Sequence, residues 1–277
     1  MKKIGFIGAG NMASALVGGL LARGWRPADI ALSDAVPEAL VPHRQRGLFT
    51  TTDNRELLER ADVLVLAVKP QVMAQVLAPL ADRVQARQPL VISIAAGIPG
   101  ASLERWLGGP LPVVRAMPNT PALVQSGAAG LHANARVTAE QRAVAEGILG
   151  AVGLALWVDR EDLIDAVTAV SGSGPAYFFY VMEAMMAAGR DLGLDEKTAR
   201  ALTLQTALGA AQMAITADVG PDELRRRVTS PGGTTERAVA TFDEADLRGI
   251  FVRALSACAA RGKELAEQLG KTEPAAS

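Results

Sequence analysis

The sequence predicts a doubly wound α/β domain followed by an all-α domain, and three observations carry that expectation. An apolar strand-like run, Lys2 to Gly8, opens directly into a glycine-rich turn and an apolar helix. Apolar runs and helical stretches then alternate as far as Val158. After Asp159 the strand pattern stops and only helical patterns follow. The expected division is a nucleotide-binding domain over 1–158, a helical domain over 159–270, and a disordered tail over 271–277.

The first strand leads into Gly8-Ala9-Gly10-Asn11-Met12-Ala13, and the helix after it runs through Leu16, Leu20 and Leu21 to Gly24. Strand, Gly-x-Gly-x-x-Ala, helix is the dinucleotide fingerprint of a Rossmann-like fold. The first glycine makes the turn, the second admits a pyrophosphate, and Ala13 lets the helix lie close to the strand.

Ile30 to Asp34 is the next strand. An acidic residue at its end accepts hydrogen bonds from the adenosine ribose and repels a 2′-phosphate, which favours NAD over NADP. An equally weighted reading makes Asp34 a turn aspartate before Pro37. Arg44 and Arg46, in the helix from Pro37 to Arg46, are candidate partners of a 2′-phosphate, so the choice of cofactor stays open. Asn54 opens a short helix within a Thr52-Asp53-Asn54 cap.

Val63 to Val68 is a continuous apolar run, as a central strand covered on both faces requires. It ends in Lys69-Pro70. Ligands of such sheets bind beyond the carboxyl ends of the strands, which puts Ala67 to Pro70 beside a cofactor. Leu90 to Ile94 ends in Ala95-Ala96-Gly97, small residues that leave room for a flat ring. Pro112 to Met117 ends in Pro118-Asn119-Thr120-Pro121, where Asn119 either holds a carboxamide or satisfies a turn between two prolines. Gly127 to His132 is a further strand, Thr138 with Gln141 forms a capping box for a helix to about Gly150, and Gly153 to Val158 closes the half.

Helices are expected over 162–170, 176–192, 195–217, 222–228, 235–242 and 247–269, with Gly174-Pro175, Gly193 and Gly220-Pro221 as punctuation. Many are apolar over most of their circumference, which calls for burial against other helices or a second subunit. Tyr177 to Tyr180 fits such a core or interface. Ser171-Gly172-Ser173-Gly174-Pro175 is either a flexible interhelical turn or a close approach of backbone to the nicotinamide end of a cofactor.

Thr229-Ser230-Pro231-Gly232-Gly233-Thr234-Thr235 breaks the chain and then starts a helix. A helix start has unpaired N–H groups and partial positive charge, and so receives a small anion such as a carboxylate. The hydroxyls of Ser230, Thr234 and Thr235 add directed hydrogen bonds. The plainer reading is a turn with Thr234 as N-cap.

Composition narrows the function classes. The formal net charge is −1 and no basic run exceeds Arg225-Arg226-Arg227, so nucleic acid is not an expected partner. Cys258 is the only cysteine and fits a reducing compartment. With His43 and His132 the only histidines, no metal site is expected. Ala176 to Gly189 is too short to span a bilayer and contains Glu183, and Lys2-Lys3 lead straight into a strand, so a cytoplasmic protein with no membrane partner is expected. The apolar fraction of 49% points to a subunit interface or to a high alanine content.

Five blocks taken together resemble the pyrroline-5-carboxylate reductase family: Gly8 to Ala13, Ala67 to Gln71, Ala116 to Pro121, Ser171 to Tyr177, and Thr229 to Val239. They stand in the family's order over the chain up to Ala266, and the last is the specific one. The resemblance implies hydride transfer from NADPH or NADH to the imine of 1-pyrroline-5-carboxylate, giving L-proline. It implies an N-terminal Rossmann-like doubly wound sheet followed by an all-α C-terminal dimerisation domain, with dimers that often assemble further. It places cofactor contacts at Gly8, Ala9, Gly10, Asn11, Met12, Asn54, Ala67, Val68, Lys69, Pro70, Ala95 and Gly97, and the reading of the residues themselves adds Ile7, Asp34 and Asn119 as cofactor candidates. It places the substrate carboxylate at Ser230, Gly232, Gly233, Thr234 and Thr235, with Glu161 nearby and the Thr235 hydroxyl facing the ring nitrogen. Asp34 lacks the neighbouring basic or hydroxyl pair that marks NADP use, so NADH is expected to be better tolerated than is usual in the family.

Two other readings compete. A β-hydroxyacid dehydrogenase begins similarly but wants a lysine base in the helix after the interdomain turn, and Gly174 to Ala188 contains none. A non-enzymatic nucleotide sensor needs no Ser230–Thr235 loop.

Overall fold

The computed structural model describes residues 2–271. Its sheet has eight strands: β1 (Ile4–Ile7), β2 (Ile30–Ser33), β3 (Phe49–Thr51), β4 (Val63–Leu66), β5 (Leu90–Ser93), β6 (Val113–Met117), β7 (Gly127–Ala133) and β8 (Gly153–Trp157). Their spatial order is β3-β2-β1-β4-β5-β6-β7-β8. All neighbours are parallel except β6 and β7, which pair antiparallel. The order reverses direction at β1, whose neighbours are β2 on one side and β4 on the other, so a crevice opens above its carboxyl end.

The helices of the sheet region are α1 (Asn11–Ala22), α2 (Pro37–Gln45), α3 (Asn54–Leu58), α4 (Met73–Leu77), α5 (Ala81–Arg87), α6 (Gly100–Trp106), α7 (Ala139–Leu149) and α8 (Leu163–Val167). Strand alternation sends side chains to both faces. Phe6, Val63, Val65 and Ile92 join Leu16, Leu20, Leu40 and Ile148 in one core. Ile7, Leu64, Leu66 and Val91 join Leu57, Leu77, Val84 and Leu103 in the other. Each such fully buried side chain is worth roughly 1.5–3 kcal/mol, and that burial on both faces is what the continuous apolar runs encode.

Beyond the sheet, a wide π-type turn over Thr168–Gly172 follows α8. Then come α9 (Gly174–Asp191), α10 (Glu196–Thr216), α11 (Pro221–Arg227), α12 (Thr234–Glu244) and α13 (Leu247–Gly270). Asp195 caps α10 by accepting the Thr198 N–H at 3.0 Å.

Internal contacts gather residues up to Ser173 with those from Ala257 onward, and separately Gly174–Ser256. The grouping differs from the expected division after residue 158. The 163–172 segment lies with the sheet because Ile164 and Ala169 are buried there. The end of α13 also belongs with it: Leu269 packs on the second core, and Ser102 and Arg105 both donate to the Gly270 carbonyl.

The helical unit buries little by itself. Among its described residues α11 and α12 bury no side chain and α10 buries only Ala199 and Thr203. Phe178, Phe179, Leu202, Leu208, Met213 and Phe242 are all exposed. An apolar surface of that extent is the mark of an association face. Among the described residues no helix is long and apolar enough to cross a membrane. Of the tail expected to be disordered, residues 272–277 lie outside the described residues.

Candidate active site

The candidate site starts at the first strand–helix turn. Gly8 has φ +102°, and a Cβ there would fall 2.7 Å from the Ala67 carbonyl carbon, so the turn between β1 and α1 admits only glycine. Above Gly10 a Cβ would meet nothing within 4 Å. Helix α1 begins there with Gly10 as N-cap, with no side-chain cap and no acidic residue in its first turn. Its leading N–H groups are thus left for a ligand, and open backbone at a helix start is what a pyrophosphate requires. Asn11 is exposed at the helix start, Met12 is half-buried, and Ala13 is sealed against the core, as the fingerprint expects.

A cleft of about 700 Å³ lies at the crevice beside β1. It gathers Ile7, Gly8, Asp34, Asn54, Val68 and Lys69 from the expected set on one wall system, together with Ser33, Asp53 and Arg55. Asp34 accepts the Ala9 N–H at 2.8 Å through one oxygen and the Val36 N–H at 2.9 Å through the other. Asn54 accepts the hydroxyl of fully buried Ser33 at 2.7 Å, which fixes its amide while leaving both its N–H donors unused by that bond. The cap of α3 is Asp53, which takes the Arg55 N–H at 2.8 Å, while Asn54 is the first helical residue. Arg44 and Arg46 are not among the cleft-lining residues, and the Arg44 Nε donates to Thr50 at 3.1 Å.

His43 supports the glycine-rich turn from beneath. It is 2% exposed, its Nε2 lies 3.1 Å from the Ser14 hydroxyl, and that hydroxyl reaches the Ala9 carbonyl at 3.4 Å. If the hydroxyl donates to Ala9, the imidazole donates to the hydroxyl, so Nε2 carries the proton and Nδ1 is left buried without a partner. Burial, and then the nearby charge of Arg46, lower its pKa below the ordinary 6.5. His132, by contrast, is half-buried on β7 with Nδ1 3.3 Å from the Val158 carbonyl.

Further along the sheet, Ala67 closes against Gly8, and Pro70 starts a short turn after exposed Lys69. Ala95 is buried, and Gly97 sits where a Cβ would come 3.3 Å from that of Leu265. Neither lines the cleft beside β1. Asn119 is committed on both ends, its Nδ2 donating to the Ser171 carbonyl at 2.9 Å and its Oδ1 accepting the Ala128 N–H at 2.8 Å. It therefore pegs the Ser171–Gly172 turn to the sheet, closer to the turn reading than to the carboxamide one. Glu161 Oε1 accepts from Gly100 N–H at 2.7 Å and from Arg115 at 2.9 Å. Nearby Asp165 is raised in pKa by burial, against the opposing pull of Arg115 and Lys263. No local pattern marks Arg115, which sits in the middle of an apolar strand.

In the helical unit, Ser230 to Gly233 form a tight turn closed by the Gly233 N–H on the Ser230 carbonyl at 3.0 Å. Gly232 takes φ +70°. The N-cap of α12 is Gly233, one residue earlier than the Thr234 of the plainer reading, so Thr234 and Thr235 are the first two helical residues. No side chain caps this helix, and Glu236 bonds back to the Gly232 N–H at 2.7 Å. Ser230, Thr234 and Thr235 are exposed. A turn of this shape presents backbone N–H groups and hydroxyls together, the donor set a carboxylate needs.

Comparison with known proteins finds matches to both halves of the chain. Residues 161–265 match the family described as pyrroline-5-carboxylate reductase dimerisation, and residues 3–97 match NADP oxidoreductase, coenzyme F420-dependent. A pyrroline-5-carboxylate reductase of Pseudomonas aeruginosa is 56% identical over 97% of this chain and 98% of the relative. The solved pyrroline-5-carboxylate reductase of Coxiella burnetii is 46% identical with a TM-score of 0.92, covering 96% of this chain and 98% of that one. The Plasmodium falciparum enzyme, solved with NADP bound, is 28% identical with a TM-score of 0.84, covering 96% and 98%.

Proposed function

Since the chain belongs to the pyrroline-5-carboxylate reductase family, we propose a division of labour among its residues for reducing a cyclic imine. The protein is an NAD(P)H-dependent oxidoreductase that converts 1-pyrroline-5-carboxylate to L-proline in proline biosynthesis, and it self-associates through its helical segment. Hydroxyacid oxidation is set aside by this membership.

The cofactor, as NADPH or NADH, supplies a hydride to the imine carbon, and the ring nitrogen becomes the amine of proline. Uncapped N–H groups of α1 above Gly10 hold the pyrophosphate, with Ala9, Asn11 and Met12 around it. Ile7, Asp34 and Asn54 border the adenosine side, and Ala67, Val68, Lys69, Pro70, Ala95 and Gly97 the rest, with Asn119 supporting the Ser171 turn. The Ser230–Thr235 turn, including Gly232, Gly233 and Thr234, receives the substrate carboxylate. The Thr235 hydroxyl hydrogen-bonds the ring nitrogen and orients the ring.

A protonated imine is already a hydride acceptor, so positioning supplies most of the acceleration and no strong general acid is required. The observation that carries this reading is the uncapped start of α12, with three hydroxyls beside a positive-φ glycine. Glu161 acts in support through Arg115 and Gly100. We place the enzyme in the cytoplasm as an assembly of dimers.

The test follows absorbance at 340 nm with NADPH and NADH on 1-pyrroline-5-carboxylate and on 1-pyrroline, which lacks the carboxylate. Substrate-dependent oxidation is expected with the first imine, and a kcat/KM lower by roughly a hundredfold or more with the second, the loss of a charged anchor. Equal rates on both would remove the carboxylate site, and no oxidation with either cofactor would remove the reductase reading.

A further inference from the structure

We infer that the adenosine end of the cleft is built for a ribose with a free 2′-hydroxyl, so that the chain takes NADH in preference to NADPH, with Asp34 deciding between them. The inference rests on the reductase reading for its cofactor class and adds the specificity of that site.

Asp34 cannot swing aside at no cost. Its two oxygens accept the N–H groups of Ala9 and Val36, one in the glycine-rich turn and one in the chain leaving β2. Turning it away to admit a phosphate leaves both donors without their acceptor, and one of them belongs to the pyrophosphate site itself. A carboxylate pinned in this way still has lone pairs for two ribose hydroxyls.

Asp53 adds a second fixed carboxylate, held on the Arg55 N–H and lining the same cleft. Between Asp34 and α2 stand only Ala35 and Val36, with neither a hydroxyl nor a cation. The strand order separates the two cleft-lining cations. Lys69 follows β4, on the far side of β1 from the adenosine end, which leaves Arg55 as the cleft-lining cation on the side of β2 and β3, while Arg44 is held on Thr50 of β3 outside the lining. A 2′-phosphate would meet two anchored carboxylates and one guanidinium, whereas a 2′-hydroxyl would meet its acceptor ready placed.

The decisive experiment is an equilibrium titration of the purified full chain with NADH and with NADPH, followed by nicotinamide fluorescence with no imine present. Because no turnover is measured, its failure would leave the reductase reading standing. Wild type is expected to bind NADH about tenfold or more tightly than NADPH, the order of effect that like-charge contact produces. Asp34→Ser should shrink that ratio by about tenfold. Asp34→Asn should shrink it as well, and its carbonyl can still accept one of the two N–H groups, which covers the case in which the serine variant fails to fold. The proposal is overturned if wild type binds NADPH as tightly as NADH, or if the ratio survives neutralisation of Asp34. A selective loss of NADPH binding in Arg55→Ala to below a tenth of the wild-type value would overturn it too, by making Arg55 a phosphate clamp.

Discussion

Glu161 and Arg115 form an ion pair at 2.9 Å that ties the segment after β8 to the middle of β6. The Arg115 side chain is 9% exposed and that of Glu161 39%. The same carboxylate oxygen holds the Gly100 N–H, at the end of the loop that carries Ala95 and Gly97. Removing the partner of a mostly buried guanidinium costs several kcal/mol, reduced here because water reaches Glu161. Glu161→Ala is expected to lower unfolding free energy by about 2 kcal/mol in urea, and Glu161→Gln by roughly half as much because its carbonyl still accepts the Gly100 N–H.

Two glycines of one turn should fail differently. Gly10 has open space for a Cβ above it, so Gly10→Val should cost the apo protein only the about 1 kcal/mol that separates glycine from a β-branched N-cap, while weakening cofactor binding by roughly a hundredfold or more. Gly8→Ala meets the Ala67 backbone at 2.7 Å in a positive-φ conformation, and should destabilise the fold itself by about 1–3 kcal/mol. Denaturation of both variants without cofactor, followed by cofactor titration, separates the two effects.

The sequence made the site legible where chemistry is local. Gly8 to Ala13, the apolar run Val63 to Val68 and the capping box at Thr138 all carry their reason within a few residues; the first and last stand where expected, and the strand of the second ends two residues early, at Leu66. The three-residue β3 is not legible in the sequence, because Phe49–Thr51 is too short to show alternation. Helices α4 and α5 leave no clear periodic signal, because Pro70 and Pro79 break the stretch into pieces of seven residues or fewer. The ties of Glu161 to Arg115, Asn119 to Ser171 and Asp34 to Ala9 join residues 25 to 52 positions apart, and no pattern within a window reports such partners.

Acid should weaken the fold through His43. Its folded pKa is lowered, so the unfolded chain takes up the proton first. The stability it contributes is complete above pH 6.5 and is lost as pH falls from there towards the depressed folded value. Urea midpoints of wild type and His43→Gln measured between about pH 7.5 and pH 5 should converge as pH falls, the wild type showing the steeper loss. Parallel lines would show that the imidazole stays neutral in both states or is equally accessible.

Self-association should depend on the apolar faces that the helical unit leaves uncovered. Phe178 is 69% and Leu208 50% exposed in the single chain. Phe178→Glu with Leu208→Glu is expected to reduce the mass in light scattering and to lower thermal stability, since a partner that binds the folded state stabilises it. An unchanged mass would move the interface elsewhere on the helical unit.

The most direct test of the central claim is the steady-state rate of Thr235→Ala and Thr235→Ser on 1-pyrroline-5-carboxylate at saturating cofactor. The expected result is a fall in kcat/KM of roughly tenfold to a hundredfold for alanine, with cofactor affinity unchanged and most of the rate restored by serine. An alanine variant with the wild-type kcat/KM would contradict the account, because the ring would then be oriented by something other than the start of α12.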